Sequence, residues 1–390
     1  MPQAITPTSS IENIPDSSII DIVRIGRDIP GIIPLWLGEG NLPTPEFISE
    51  AAIAALRQGH TFYTPNRGIP ELRDALIQYY ADIYNVSIPD RRVSVTNSGM
   101  HSVTMIATSL VEKGDNAVLL TPCWPNIERA VRFVGGITRE VPMEIIDRKF
   151  VLDLQRVFDA CDDLTRFIYL ASPGNPTGWT ITPQQAQELM EFASNRGIAI
   201  ISDEVYQRLS FGSQPGFSFL SIADPDAPLF VVNSFSKCWS MTGWRLGWMV
   251  YPDTFHDTFE KLSQFTISGS PAFLQHGAVA ALRHGENYVA ETRERARTAA
   301  YYVECGLEKI GRISTIKSEG GLYTMFKVDG IETGVQFCID AARQAKVGLA
   351  PGSAFGAGGE GLIRLCHARS MQDLEKALER LQQFTPTYLA

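Results

Sequence analysis

The chain reads as an α/β protein: a large domain with a mainly parallel central sheet covered by helices, plus a smaller α+β domain formed by the N-terminal arm and the C-terminal third. Three observations predict this. From about residue 44 to 250, helical patterns alternate with short apolar runs that show little polar alternation, as strands buried on both faces do. Successive runs lie roughly 30 residues apart, the length of a strand–helix–strand unit with parallel strands. Beyond about residue 285 the pattern changes to long helix followed by short strands mixed with helices. The expected units are an arm at 1–43, a large domain at 44–285 and a small domain at 286–390.

Taken in order, the arm is too short for a core of its own and is expected to join the C-terminal part. Thr44-Pro45 opens a helix as cap and first-turn proline, and Gly59 closes it. Strands are expected at Val93–Thr96, Ala117–Thr121, Phe167–Ala171, Ile198–Ser202, Leu229–Asn233 and Leu246–Tyr251. After the first of these, Ser98-Gly99-Met100 starts a helix that runs through Ile106 and Leu110. Thr182-Pro183-Gln-Gln185 has capping-box spacing; its helix buries Ala186, Leu189, Met190 and Ala193 and stops at Gly197. Residues 271–310 read as one long helix. The last helix is capped by Ser370 and buries Leu374, Ala377, Leu378 and Leu381.

Composition narrows the function. Of 390 residues 44% are hydrophobic and 20% charged, ample for a core. A net charge of −9 argues against a nucleic-acid partner, which would need a basic face. The six cysteines are scattered without a Cys-x-x-Cys pair, which suggests reduced thiols, and no His-Glu-x-x-His pattern suggests a metal. No apolar stretch approaches the roughly 18 residues a membrane helix needs, and the first twenty residues lack a signal-peptide pattern. A soluble cytoplasmic protein is expected.

The richest segment is Ser234-Phe-Ser-Lys-Cys-Trp-Ser-Met-Thr-Gly-Trp-Arg245. The hydroxyls of Ser234 and Ser236 and the Arg245 guanidinium can hold a phosphate, while the Lys237 amine can condense with a carbonyl. Pyridoxal phosphate carries both an aldehyde and a phosphate, and a lysine Schiff base is its usual tether. Other polar groups follow expected strands, where ligands of such sheets gather. Asp203, in Ile-Ile-Ser-Asp-Glu-Val-Tyr206, either caps the next turn or pairs with a protonated pyridine nitrogen. Asn175, in Ser-Pro-Gly-Asn-Pro-Thr-Gly178, lies in a loop that is either only a tight turn or one that aims the amide at a ligand. Backbone amides at Ser98-Gly99-Met100 form a natural phosphate site at a helix start. Trp124 either packs or stacks on an aromatic ring. Arg364 interrupts the apolar run Leu362-Ile-Arg-Leu-Cys366. It is either an edge residue reaching water or a bidentate fork for a carboxylate.

Two other motifs fail on context. Gly356-Ala-Gly-Gly-Glu-Gly361 matches a dinucleotide fingerprint but precedes a strand instead of following one. Ser234-Phe-Ser-Lys237 matches the Ser-x-x-Lys of acyl-transfer enzymes, but the Ser-Asp-Asn and Lys-Thr-Gly partners are missing.

In order, Tyr63 in Tyr-Thr-Pro-Asn-Arg-Gly, Pro-Gly-Asn-Pro-Thr-Gly, Ser-Asp-Glu-Val-Tyr, the Lys237 run and Ile-Arg-Leu resemble the class I/II pyridoxal-phosphate aminotransferases of the aspartate aminotransferase fold, fold type I. The likeness spans about residues 35–370. It implies that Lys237 carries the internal aldimine and moves the substrate α-proton. Asp203 is implied to pair with the pyridine nitrogen, while Tyr206 and Asn175 bond the ring hydroxyl. Gly99 and Met100 (through backbone), Ser234, Ser236 and Arg245 are implied to hold the phosphate, and Trp124 to stack on the ring. Arg364, with Asn175 and the Gly38 backbone, is implied to grip the α-carboxylate. The tyrosine matching Tyr63 reaches the neighbouring subunit's phosphate in this family, so a homodimer is implied.

The implied reaction moves an amino group between an L-amino acid and a 2-oxo acid by ping-pong kinetics. One departure concerns specificity. An aspartate-specific branch has lysine where Met100 stands, which leaves a dicarboxylate donor dependent on Arg24, Arg27 or a partner-subunit residue. An apolar or aromatic donor, walled by Trp36 and Met100, is the alternative. A β-eliminating lyase on the same fold is a second reading, since fold does not decide reaction type. A non-catalytic regulator is a third, but the first forty residues have neither room nor charge for a DNA-binding helix-turn-helix.

Overall fold

The computed structural model of the chain describes residues 6, 9–12, 14–212 and 215–388. Seven strands form the large sheet: β1 (Val93–Thr96), β2 (Asn116–Thr121), β3 (Ile137–Pro142), β4 (Thr165–Ala171), β5 (Ala199–Asp203), β6 (Leu229–Ser234) and β7 (Gly247–Val250). Their order is β1-β7-β6-β5-β4-β2-β3. All neighbours pair in parallel except β7, which runs antiparallel to both β1 and β6. The reason lies in the connection. Residues 235–246 contain no crossover helix, so the chain turns straight back after β6.

Alternation within the strands shows why both sheet faces are covered. Val118, Leu120, Ile168, Leu170 and Ile200 join one apolar cluster, while Ala117, Leu119, Phe167, Tyr169 and Ile201 join another. Six strands fall where the apolar runs place them, within two residues at each end. Strand β3 escapes the sequence because it is an edge strand, and its Thr138, Arg139 and Glu140 are not buried.

A second sheet contains β8 (Ile313–Ile316), β9 (Tyr323–Val328), β10 (Ala350–Pro351) and β11 (Leu362–Cys366), ordered β8-β9-β11-β10 and antiparallel throughout. Ile22, Ile33, Leu35 and Trp36 of the arm pack in one cluster with Leu307, Phe326, Leu365 and Leu381. Ile33–Pro34 also pairs in parallel with Val347–Gly348.

The 183–196 helix has the full capping box at Thr182 and Gln185, and Gly197 ends it in the left-handed region at φ 64°. Ser370 Oγ accepts from the Asp373 amide at 3.1 Å ahead of the Met371–Tyr388 helix. Two expectations are corrected. The long helix at 271–310 is two helices, Ala272–His284 and Glu286–Glu308, meeting at Gly285. The first ends there with the Gly285 amide bonded to the Ala281 carbonyl, and the second starts from the same residue. Thr44 does not cap the Glu46–Arg57 helix, for Pro45 holds the cap position. The Thr44 hydroxyl instead donates to the Ser240 carbonyl at 2.7 Å and accepts from Trp244 Nε1 at 2.9 Å. That ties the start of the helix to the Lys237 loop.

Candidate functional site

The carboxyl ends of β1, β2, β4, β5 and β6 open on a cavity of about 410 Å³. Ser98, Gly99, Met100, Trp124, Asn175, Asp203, Tyr206, Ser234, Ser236, Lys237 and Arg245 line it from the large domain, and Gly38 and Arg364 from the other side. Thirteen of the fourteen residues expected to act in catalysis, cofactor binding or α-carboxylate binding thus meet at one place. Tyr63 does not line the cavity and is 93% exposed.

Each side chain is held by its local structure. Ser98 caps the Gly99–Leu110 helix, its hydroxyl accepting from the His101 amide at 3.1 Å. That helix N-terminus faces the cavity. Ser234 Oγ lies 2.9 Å from Ser236 Oγ and donates to the Leu246 carbonyl at 3.1 Å. Arg245 adopts φ 52°, and its guanidinium donates to the Thr242 carbonyl at 2.6 Å. The Asn175 loop is closed by Gly174 N–H to Trp179 O at 2.9 Å and Gly178 N–H to Gly174 O at 2.8 Å. Trp124 is half-buried, which leaves part of its indole free to meet a ligand.

Arg364 is 3% exposed, on β11 between β9 and β10. The edge-residue alternative is thereby excluded. The guanidinium lies between two rings, Tyr323 at 4.5 Å and Phe355 at 4.6 Å. It donates to Asn175 Oδ1 at 3.1 Å and to the Trp36 carbonyl. Its Nε has no hydrogen-bond partner among the described residues. An arginine held flat at a cavity wall with an unused donor suits a carboxylate.

Lys237 Nζ donates to the Gly38 carbonyl at 2.5 Å. Burial lowers its pKa from the ordinary lysine range, with the Arg364 and Arg245 guanidiniums adding to the effect against an opposing contribution from Cys366. Gly38 must be glycine, because a Cβ there would lie 1.8 Å from the Tyr323 hydroxyl. Asp203 closes β5, and burial raises its pKa. Two donors oppose that rise: the Val205 amide to Oδ1 at 3.1 Å and the Tyr169 hydroxyl to Oδ2 at 2.9 Å. Asp203 thus caps its own turn and also lines the cavity.

The family of known proteins described as Aminotransferase class I and II matches residues 32–381. The chain belongs to the class I and II aminotransferases. A relative described as a probable aspartate/prephenate aminotransferase, from Aquifex aeolicus strain VF5, is 34% identical over 90% of each chain. Alanine aminotransferase from Pyrococcus furiosus is similar in structure, with TM-score 0.92 and 26% identity, over 98% of this chain and 100% of that one. A single mutant of Thermus thermophilus aspartate aminotransferase gives TM-score 0.91 and 28% identity, over 97% and 100%.

Enzymes of this family with this fold use pyridoxal phosphate, and the aminotransferase cavity fits that cofactor. A buried acid, an amine of lowered pKa, a helix N-terminus with two serine hydroxyls and an arginine, and a half-buried indole are the groups its nitrogen, aldehyde, phosphate and ring require. Among the described residues there is no cluster able to hold a metal and no helix long and apolar enough to cross a membrane.

Several contributors were missed in the sequence. Tyr169 sits in the apolar run Phe-Ile-Tyr-Leu-Ala, where a lone phenol signals a buried partner. Tyr323 and Phe355 carry no local signal: strand register brings Tyr323 to Arg364, and the turn at Gly352–Phe355 brings Phe355 to its other side. Trp36 is not a cavity wall. Its indole packs against Gly26 and Gly348 in the arm cluster, and only its carbonyl reaches Arg364. Arg24 and Arg27 lie outside the cavity, beside Asp21 and Asp28.

Proposed function

We propose that this aminotransferase moves an amino group between an L-amino acid and a 2-oxo acid with Lys237 as the residue that tethers the cofactor and then carries the proton. The single observation behind this is the convergence of Lys237, Asp203 and Arg364 on one cavity. Bound there, pyridoxal phosphate supplies an aldehyde for the amine and a ring that takes up charge as the α-proton leaves. Lys237 Nζ, with its lowered pKa, accepts that proton and returns it. Asp203 holds its charge against the pyridine nitrogen, supported by Tyr169 and the Val205 amide. Tyr206 and Asn175 would hydrogen-bond the ring hydroxyl. The 99–110 helix N-terminus, Ser234, Ser236 and Arg245 hold the phosphate. Arg364 grips the substrate α-carboxylate, assisted by Asn175 and the Gly38 backbone.

Ile19, Ile20, Leu37 and Met100 line the cavity near these groups. On that basis the donor carries an apolar or aromatic side chain, although the Aquifex relative is named for aspartate and prephenate. The enzyme works as a homodimer in which Tyr63 reaches the partner's phosphate site. Supporting this, Phe62 is 84%, Tyr63 93% and Phe265 75% exposed, aromatic surface of the kind a partner subunit covers. The six cysteines are unpaired, in keeping with a cytoplasmic setting.

A spectroscopic screen of amino acids against the cofactor's visible band tests the reading. Leucine, methionine or phenylalanine should bleach it, with recovery on adding a 2-oxo acid. Release of pyruvate and ammonia from a cysteine conjugate without any oxo acid points to a lyase instead. The names of the relatives favour the transferase.

A further inference from the structure

Tyr323 is the residue at which the two halves of the site touch. It opens β9, and the β9–β11 register pairs it with Cys366 and Met325 with Arg364, so that Tyr323 and Arg364 share one sheet face. Its ring lies 4.5 Å from the Arg364 guanidinium. Its hydroxyl lies 2.7 Å from the Tyr206 hydroxyl, with the two rings set edge to face at 5.7 Å. The same hydroxyl packs so closely on Gly38 that no Cβ fits there, and Gly38 in turn holds Lys237 Nζ. Tyr323 is 1% exposed, so this hydroxyl has no water to turn to.

We propose that Tyr323 is a positioning residue with two separable roles: its ring holds the Arg364 fork, and its hydroxyl donates to Tyr206 and so strengthens Tyr206 as a donor to the cofactor ring oxygen. The proposal rests on the assignment of Tyr206 and Arg364 given above. The direction of the bond follows from proton counting. Tyr206 has one hydroxyl proton and gives it to the ring oxygen, so toward Tyr323 it can only accept. Tyr323 then supplies the proton between them. Burial keeps both phenols protonated, with that of Tyr323 pushed up to about 12. In a dry site such chains polarise, and donation into Tyr206 makes its own O–H a better donor. A carboxylate arriving at Arg364 therefore meets a group already linked to the ring side of the site. The link joins a strand of the small sheet to a loop of the large one.

The pH midpoint of the holoenzyme's visible absorption reads this link directly. In the deprotonated form the charge on the ring oxygen depends on protein donors alone, so weakening a donor raises the midpoint. Tyr206→Phe should raise it most. Tyr323→Phe keeps the ring and loses the hydroxyl. It should raise the midpoint by roughly half a unit, lower kcat several-fold and leave KM for the oxo acid within about twofold. Tyr323→Leu should raise the midpoint similarly and also raise KM about tenfold, because Arg364 loses its ring support. A Tyr323→Phe midpoint equal to wild type, alongside a raised midpoint in Tyr206→Phe, overturns the proposal. A KM rise in Tyr323→Phe as large as in Tyr323→Leu also overturns it, since the two roles would not be separable. If Tyr206→Phe leaves the midpoint in place, or the wild type shows no visible band, the assignment of the site itself fails and the proposal goes with it.

Discussion

Ser98, Trp124, Asn175, Tyr206 and Lys237 all stand on loops beyond the carboxyl ends of large-sheet strands, whereas Arg364 and Tyr323 stand within strands of the small sheet. The large sheet is a rigid platform, and its chemistry is added in loops that can change without disturbing the core. Arg364, by contrast, is 3% exposed and held between two rings, so the contacts that would orient it toward a carboxylate are also its packing. Loop substitutions on the cofactor side should therefore cost activity while sparing the fold. Substitutions in the small sheet should cost substrate affinity and some stability together.

The largest effect that would sharpen this contrast is at Asp203. Asp203→Asn should lower kcat on the order of a hundredfold, with a melting temperature close to or above wild type, because a buried charge is removed. A large loss of stability without loss of activity would break the comparison. Arg364→Lys should raise KM for the oxo acid roughly tenfold to a hundredfold, with a smaller change in kcat, since a lysine cannot present a flat two-donor edge. It should also lower the melting temperature, because the stacking between Tyr323 and Phe355 is lost. Steady-state kinetics and calorimetry on the same preparations read both quantities.

A smaller effect is expected at Tyr169, which does not line the cavity but bonds Asp203. Tyr169→Phe removes one hydrogen bond to a charged group and should lower cofactor affinity about tenfold, measured by equilibrium dialysis. An affinity unchanged from wild type would mean that the Val205 amide alone keeps Asp203 ionised.

The smallest effect on catalysis is expected from Glu204, next to Asp203 but turned away from the cavity. Its carboxylate accepts from Ser202, Ser218 and the Phe219 amide, and burial raises its pKa to about 7. The folded protein thus binds a proton that the unfolded chain releases near 4.5. The corresponding stability is complete below about pH 4.5 and is lost as pH rises toward 7, amounting to up to roughly 3 kcal/mol. Glu204→Gln should flatten the slope of melting temperature between about pH 4.5 and 7, the interval over which that stability is lost. An unchanged slope would assign the pH dependence elsewhere.

Much of the architecture was readable because the inner strands are apolar on both faces and the capping signals at Thr182 and Ser370 are local. Strand β3 was not, because an edge strand tolerates the polar residues that hide it. The break at Gly285 was missed because apolar periodicity runs through it on both sides. In the site, residues on strand-end loops announced themselves through turn chemistry and strand position. Tyr323 and Phe355 did not, since their role arises from register across a sheet and from a loop folding back on it. Trp36 misled for a related reason: an aromatic near Gly38 in sequence need not face the same way, and this one fills the arm cluster.

The tether itself is the most direct point of attack. Borohydride reduction of the holoenzyme, followed by peptide mapping, should place the cofactor on the peptide containing Lys237 and on no other lysine. A label on a different lysine, or a holoenzyme whose lysines are all unmodified after reduction, would contradict the assignment of this residue and with it the arrangement of the cavity around it.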